Sequence, residues 1–186
     1  MKLKANPFVL ALVAVIVAVT SVTAQAQQAS GFIESWNTVS EAGVTPQLNV
    51  YVHGPLKGDV GWSAWTLTSE GWSEAYAGLT YAPAKWIEVS ASLGLETDDN
   101  PLREGVSVWL GGGRWALLSI HENGGSGYWF RNLGTFQVTK TFAVGLENRR
   151  FFGTGPYAEK KFGKVSLWGA YAVNGDAGVI GVRFNF

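Results

Sequence analysis

WIEVSASLGLE, at residues 86–96, is the stretch of sequence that decides the fold. The odd-numbered positions from 87 to 95 are all apolar, whereas the even-numbered positions from 88 to 96 are Glu, Ser or Gly. Successive side chains of a β-strand point to opposite faces, so this alternation predicts a strand with one apolar and one polar face. The same pattern recurs at residues 47–53 and 142–149.

The chain after Gln27 divides into runs of about ten residues separated by Gly, Asn, Asp, Pro or Lys, with no convincing amphipathic helix. These runs predict strands at residues 45–55, 59–70, 73–82, 86–97, 103–111, 114–122, 128–138, 142–153, 156–162, 165–174 and 177–186. An earlier segment, 31–40, alternates poorly because Phe32, Glu34 and Trp36 fall on one face, and it fits either a strand or a short helix. The even strand number of single-chain bacterial barrels favours a strand.

We therefore predict an all-β fold over residues 27–186, a transmembrane antiparallel up-and-down β-barrel of about twelve short strands, with about eight to ten as the alternative. The connections at one side are tight turns such as Lys57-Gly58-Asp59, and those at the other side are mostly longer, such as Glu41–Thr45 and Asp98–Leu102. Short periplasmic turns and longer outer loops are typical of such barrels. A soluble β-sandwich would not sort its loops by side.

Aromatic residues are frequent at the ends of the predicted strands. Trp and Tyr favour the headgroup level of a bilayer, so this distribution predicts two aromatic girdles around the barrel. The residues concerned are Trp72, Tyr81, Trp86, Trp115, Tyr128, Trp129, Phe142, Phe151, Tyr157 and Phe184.

Residues 1–26 have the pattern of a cleaved secretory signal peptide. Lys2 and Lys4 precede an apolar run from Pro7 to Val22, and Ala24-Gln25-Ala26 is a small-x-small cleavage site. An uncleaved anchor is disfavoured because the run is short of the roughly 20 apolar residues of a spanning helix. Without Lys2 and Lys4, 12 basic residues remain against 14 acidic ones, a formal charge of −2 that excludes a nucleic-acid partner.

The chain ends Val-Ile-Gly-Val-Arg-Phe-Asn-Phe at residues 179–186, with apolar side chains at every even position of that stretch. This strand resembles the C-terminal recognition signal of bacterial outer-membrane β-barrel proteins, in which Gly181, Phe184 and Phe186 match the glycine, antepenultimate aromatic and final Phe. Val179 stands where that class usually has a polar residue. The resemblance implies location in the bacterial outer membrane. It also implies that periplasmic chaperones and the barrel-assembly machinery are partners, with membrane lipid and lipopolysaccharide around the barrel.

Charged residues of the predicted strands are expected to face the lumen, because a Lys or Arg facing lipid at mid-depth costs roughly 2–4 kcal/mol. The predicted lumen-facing charges are Glu74, Glu88, Glu96, Arg131, Glu147, Arg149, Glu159, Lys161 and Arg183. They predict either a narrow porin-like pore for small solutes or ions, or a barrel without transport whose paired charges block its lumen. A narrow pore is slightly favoured.

A third hypothesis is a lipid acyltransferase or hydrolase at the outer rim that uses His121. Asp98, Asp99 and Ser126 fall in loops on the same rim, where a Ser, His and Asp set would support acyl transfer or hydrolysis. The second histidine, His53, belongs at the opposite end of the barrel and cannot share that site. Asp98, Asp99 and Asn100 are at most a weak cation-binding pattern, and the sequence predicts no cofactor and no metal centre.

Overall fold

The computed structural model describes residues 29–186, so the predicted signal peptide lies outside the described residues. In this part of the chain no helix is long and apolar enough to cross a membrane. The strands are β1 (Ser30–Ser40), β2 (Gly43–Lys57), β3 (Val60–Ser69), β4 (Trp72–Ala84), β5 (Ile87–Glu96), β6 (Leu102–Gly112), β7 (Trp115–Gly124), β8 (Trp129–Thr139), β9 (Phe142–Arg149), β10 (Gly153–Phe162), β11 (Val165–Ala172) and β12 (Ala177–Asn185).

The twelve strands form one closed antiparallel barrel in which each strand pairs with its neighbours in sequence and β12 pairs with β1. Glu34 lies opposite Arg183 in this closing pair. Gly31 and Phe186 exchange backbone hydrogen bonds of 3.1 and 3.2 Å, which carry the seam to the last residue. The predicted up-and-down barrel is confirmed. Residues 31–40 form the strand that closes it, because an unpaired sheet edge has no hydrogen-bond partners in lipid.

The two ends of the barrel differ in their connections. The terminal end, which holds Ser30 and Phe186, has two-residue turns at 58–59, 85–86, 113–114, 140–141 and 163–164. The opposite loop end has connections at 41–42, 70–71, 97–101, 125–128, 150–152 and 173–176. The predicted loop Glu41–Thr45 was wrong, because β2 begins at Gly43, whose φ of +119° turns the chain at once. The asymmetry of the two ends is therefore real but small.

Alternation along each strand sorts side chains between the lumen and the outer surface, as the pairing of β5 with β4 and β6 shows. Glu96 lies opposite Glu74 on the inner face, and Leu93 lies opposite Ala77 and Glu104 on the outer face. The outer face carries a belt of exposed apolar side chains that includes Ile33, Leu48, Leu79, Leu93, Leu95, Val106, Leu117, Val144, Leu146, Leu167, Ile180 and Val182. Such a belt suits a lipid environment, since water would leave it unfavourably exposed.

The aromatic girdle is clear at the terminal end and incomplete at the loop end. At the terminal end the exposed rings are Tyr81, Trp86, Trp115, Phe162, Phe184 and Phe186. At the loop end they are Tyr128, Phe151 and Tyr171. Three rings assigned to the girdles from sequence face the lumen instead. Trp72 and Trp129 line a cavity at the loop end, and Tyr157 is buried.

A packed aromatic cluster fills the lumen beside the closing strands. The indoles of Trp36 and Trp168 meet edge to face at 5.7 Å between ring centroids, and Tyr157 stacks on Trp168 at 5.7 Å. The Trp168 indole lies where a Cβ at residue 181 would project, so Gly181 provides the space for it. Gly181 thus has a packing role in addition to its place in the C-terminal signal.

We expect Leu79→Arg to lower the free energy of unfolding in phospholipid vesicles by about 2–4 kcal/mol, because Leu79 lies on the lipid-facing side of β4 at mid-depth. Leu102→Arg is the matched control, with a similar exposed fraction (61% against 59%) at the loop-end edge of β6, where the cost is about 0–1 kcal/mol. Denaturant titration measures both. Equal effects at the two depths would contradict a lipid-facing belt.

Candidate functional site

The lumen of the barrel carries almost all of the buried charge in the described chain. Inward-facing residues alternate along each strand with residues of the apolar belt, so the charged side chains project into the narrow lumen. The buried charged residues are Glu34, Glu74, Glu96, Arg103, Glu122, Arg131, Glu147 and Arg149. They divide into three groups at different positions around and along the lumen.

The first group, the Arg103 cluster, lies on β4–β7 towards the loop end. Arg103 contacts the carboxylates of Glu96 at 2.9 Å, Glu74 at 3.1 Å and Glu122 at 3.6 Å. Its Nε also donates a 2.6 Å hydrogen bond to the hydroxyl of Tyr76. Three carboxylates around one guanidinium that is 2% exposed make this part of the lumen wall acidic.

Ser126 joins this cluster to the loop between β7 and β8. Its backbone N–H donates to Glu96 Oε1 at 2.8 Å, and its hydroxyl donates to Glu96 Oε2 at 2.6 Å. Arg103 Nη1 also donates to the Ser126 hydroxyl at 2.5 Å. The loop is therefore fastened to the lumen charges and does not extend freely from the barrel.

The second group, the Arg131 cluster, lies on β8 and β9 and is basic. Arg131 Nε contacts Glu147 Oε1 at 2.7 Å, and Arg149 Nε lies 4.0 Å from the same oxygen. The two guanidinium groups lie over the Trp36 ring, at 5.4 and 5.1 Å from its centroid. The face of an indole ring carries partial negative charge, which attracts a cation. The Trp36 ring therefore helps to stabilise two arginines that contact only one carboxylate.

The third group connects the barrel seam to the terminal end. Glu34 Oε1 accepts from Arg183 Nη2 at 2.7 Å and from Arg183 Nε at 2.8 Å, an ion pair across the β1–β12 junction. Asn49 Nδ2 donates to Glu34 Oε2 at 3.3 Å. Nearby, Tyr157 donates to Glu159 at 3.0 Å. The carboxylate of Glu34 is thus fully bonded although its side chain is completely buried.

A cavity opens at each mouth of the barrel. The loop-end cavity has a volume of about 450 Å³, and its lining includes Trp36, Trp72, Glu74, Arg103, Arg149 and Arg150. The terminal-end cavity has a volume of about 420 Å³, and its lining includes Glu159, Lys161, Lys164 and Arg183. Arg149 of the Arg131 cluster and Trp36 of the aromatic cluster form part of the wall of the loop-end cavity.

All the charges assigned to the lumen from sequence lie on inner strand faces, and six of them belong to the three groups. These six are Glu74, Glu96, Arg131, Glu147, Arg149 and Arg183. Glu88 faces the lumen opposite Trp109, and Lys161 lines the terminal-end cavity. That these residues line a conducting pore is a prediction.

Sequence reasoning missed three of the most buried charges, Glu34, Arg103 and Glu122. Arg103 and Glu122 share an inner face with Gly105, opposed to the apolar Val106, so the alternation of β6 and β7 was sufficient to find them. Glu34 was obscured because Phe32 and Trp36, on the same face, made the polar side of β1 look apolar.

The rim set of His121, Asp98 and Ser126 is not brought together by the fold. Ser126 turns into the lumen towards Glu96. His121 lies on the outer face of β7, where it bonds Ser119 and Tyr128. Asp98 accepts a 3.0 Å hydrogen bond from the backbone of Asn100 within its own loop. Parity along β7 places His121 on the side opposite to the lumen, so the three residues cannot form one site.

In residues 29–186 no group of three or more His, Cys, Asp or Glu side chains is placed to hold a metal ion. Asp98 and Asp99 are exposed in the loop between β5 and β6.

Comparison with known proteins places the barrel among the porins by fold. No protein-family model and no curated protein sequence matches the chain. Among solved structures, the KdgM porin in complex with disordered oligogalacturonate is 12% identical, with a TM-score of 0.58 over 84% of this chain and 99% of that chain. A second KdgM porin structure is 11% identical, with a TM-score of 0.56 over 83% and 99%. The NanC porin is 10% identical, with a TM-score of 0.54 over 84% and 100%.

A closed barrel of porin fold, with a polar lumen and an apolar outer belt, is a bacterial outer-membrane β-barrel. The class predicted from the alternating strands and from the last residues of the chain is confirmed. At 10–12% identity the likeness establishes the fold. What passes through the barrel has to be argued from its own residues.

We expect Arg103→Ala to destabilise the folded barrel by about 3–5 kcal/mol, because it leaves three buried carboxylates without their cation. Thermal unfolding in detergent, followed by loss of heat-modifiable gel mobility, measures the change. Lys140→Ala, at an exposed turn of the terminal end, is the control and should leave the transition unchanged. A similar transition for both variants would mean that the Arg103 cluster does not stabilise the barrel.

Proposed function

We propose that this barrel is a narrow porin-like channel that passes small solutes or ions across the outer membrane. The observation that carries the proposal is the pair of polar cavities, one at each mouth, which face each other along the lumen. Within residues 29–186 no strand or helix is folded into the lumen, so side chains alone separate the cavities. Side chains can move aside for a solute, whereas a folded plug would have to leave as a unit.

The narrowing is uneven around the lumen, which favours a path along one wall. Large rings fill the side of β1, β10 and β11, where Trp36, Tyr157 and Trp168 pack together. The inner faces of β4–β6 at mid-depth carry only small residues, namely Gly78, Thr80, Ser90, Ser92, Gly105 and Ser107. Hydroxyl groups on that wall would replace part of the hydration of a passing solute.

Polar atoms of the Arg131 cluster also support passage. Arg131 Nη2 and Glu147 Oε2 are buried and make no hydrogen bond within the described chain. Buried polar atoms in folded proteins nearly always have a partner. Beside the loop-end cavity, which Arg149 of the same cluster lines, such atoms would be available to bond a solute on its way through.

The charges at the two mouths favour anions. The lining of the loop-end cavity has Arg103, Arg149 and Arg150 against the single carboxylate of Glu74. At the terminal end, the residues lining the cavity include two lysines and Arg183 against Glu159. A mouth of one charge sign concentrates the opposite ion and raises its rate of entrance. The acidic Arg103 cluster lies behind the first mouth and would limit how strong this preference becomes.

Anionic saccharides are one solute class that the loop-end cavity would suit. One KdgM porin structure contains oligogalacturonate, which is an anionic sugar chain. Here the cavity combines the rings of Trp36, Trp72 and Trp129 with three arginines. Indole faces suit the apolar faces of sugar rings, and guanidinium groups pair with carboxylates in a planar two-point geometry.

Assembly of the channel would depend on its last strand. We propose that the barrel-assembly machinery and periplasmic chaperones receive β12, whose outward Phe184 and terminal Phe186 remain about half exposed at the terminal end. With the terminal end in the periplasm, the loop end faces lipopolysaccharide in the outer leaflet.

In planar bilayers we expect the purified barrel to give discrete conductance steps and a reversal potential that indicates anion preference in a salt gradient. Lys161→Gln combined with Lys164→Gln should move the anion-to-cation permeability ratio towards one, because both lysines line the terminal-end cavity. Lys85→Gln, which removes a charge from a turn outside that lining, is the control and should not change the ratio.

Silence in the bilayer from protein that shows folded, heat-modifiable mobility would overturn the channel. It would support the alternative, a barrel whose lumen is blocked by its own charge pairs.

A further inference from the structure

The outer face of β7–β9 carries a patch of polar side chains inside the apolar belt. Ser119 and His121 on β7, Asn132 on β8 and Asn148 on β9 all point away from the lumen. Exposed apolar side chains surround the patch, among them Val106, which lies opposite His121. Polar and ionisable groups in contact with lipid cost free energy of folding, so their presence there indicates a functional role.

The patch is held together by direct hydrogen bonds. Ser119 Oγ lies 2.9 Å from His121 Nε2 and 2.7 Å from Asn132 Oδ1. The other ring nitrogen, His121 Nδ1, bonds the hydroxyl of Tyr128. The His121 ring also stacks against Tyr128 and Phe130, with centroids at 5.9 and 6.4 Å. A serine, a histidine that can take its proton, and groups that orient both are the parts of an activated nucleophile.

The position of the protons decides whether Ser119 can react. Ser119 has one hydroxyl proton, which can be donated either to Asn132 Oδ1 or to His121 Nε2. If the Asn132 amide presents its NH₂ group to Ser119, the hydroxyl proton turns to Nε2, and His121 Nδ1–H donates to the Tyr128 oxygen. In that arrangement His121 is the neutral tautomer that a general base requires.

An apolar groove of about 440 Å³ adjoins the patch on the same outer face. Its lining includes Trp86, Leu110, Trp115, Leu117 and Gly134. Leu117 and Gly134 are cross-strand partners, as are Ser119 and Asn132, and the two pairs are successive steps along one face. The groove therefore begins directly beside Ser119 on the same outer face. An acyl chain lying in it would bring its carbonyl end towards Ser119.

Ser119 lies five residues from Gly124, at the loop-end limit of β7, which is about 16 Å along the strand. Its partner Asn132 lies three residues from Trp129, the first residue of β8. Strand tilt reduces the true depth. The patch therefore lies between the middle of the apolar belt and the loop-end rim, so a lipid ester and a water molecule would reach Ser119 from the loop-end interface.

We propose that Ser119 and His121 form a lipid-facing esterase site that hydrolyses acyl esters of membrane lipids. Ser119 Oγ attacks the ester carbonyl carbon while His121 Nε2 takes the hydroxyl proton. That proton then passes to the lipid alcohol as the bond between the carbonyl carbon and the alcohol oxygen breaks. A water molecule, deprotonated by His121, next attacks the acyl-serine, and the fatty acid leaves as the proton returns to Ser119.

Asn132 and Tyr128 are positioning residues for this reaction, since they bond Ser119 and His121 respectively. Asn148 lies directly opposite Asn132 on the next strand. Its exposed amide is placed to donate to the oxygen that becomes negative when the carbonyl is attacked. Ser119, His121, Asn132 and Asn148 lie on the outer face of the barrel, so the reaction does not require conduction through the lumen.

A long-chain alkyl fluorophosphonate, which reacts with activated serines, tests the nucleophile in the purified full barrel. We expect labelling at Ser119 by mass spectrometry, and its loss in His121→Ala. Ser35→Ala is the matched control, because Ser35 also faces lipid but lies between Leu48 and Val182 on β1. Labelling that is absent, or that does not depend on His121, would overturn the site.

Turnover is measured as fatty acid released from mixed micelles of detergent with phosphatidylglycerol in one arm and lipopolysaccharide in the other. Release in either arm that falls at least about hundredfold in Ser119→Ala supports the proposal and identifies the lipid. Tyr128→Phe should lower kcat with little change in KM, because the ring stacking remains. If the folded protein released no fatty acid in either arm, the esterase would be refuted. The channel proposal would still stand, because bilayer conductance tests it separately.

Discussion

The structure depends on one constraint, that a backbone crossing lipid must satisfy every N–H and C=O group within the protein. For a sheet this means closure, and closure here is made by β1 and β12, the first and last strands of the described chain. The junction is continuous to the final residue, through the paired backbone groups of Gly31 and Phe186. Across it, the buried ion pair of Glu34 and Arg183 ties the two strands on the lumen side. A break at this junction would expose two edges at once.

Closure also determines where charge can go. Once the apolar face of each strand is turned to lipid, the opposite face has nowhere to project except a narrow lumen, and the charges there must be bonded to one another. The result is an acidic group around Arg103 and a basic group around Arg131, on different parts of the wall. The same pairing that stabilises the barrel shapes the path that a solute would follow. The Ser119 patch departs from this pattern, because it places a group of hydrogen-bonded polar side chains on the lipid side.

Alternation along the strands was enough to predict the fold, and it predicted β5 almost residue by residue. It located the lumen charges of β8 and β9 as well, because Arg131, Glu147 and Arg149 stand opposite clear apolar positions. It failed where an apolar side chain faces inward. Trp72, Trp129 and Tyr157 lie near strand ends, as girdle residues do, and only the pairing of strands shows that they face the lumen. The hydrogen-bond partner of His121 was also missed, although residues two apart on a strand share a face. Ser126 belongs to the next loop but turns into the lumen, whereas Ser119 lies on the same face as His121.

The glycine at position 181 illustrates how two requirements can fall on one residue. Its lack of a side chain makes room for the indole of Trp168, and the same glycine belongs to the stretch that resembles an assembly signal. If a variant at residue 181 failed to reach the membrane, the cause would therefore be ambiguous, since a steric clash with Trp168 and loss of the assembly signal give the same phenotype. Replacing Trp168 with a smaller residue in the same gene distinguishes the two causes. Recovery would show that the defect was one of space and not of recognition.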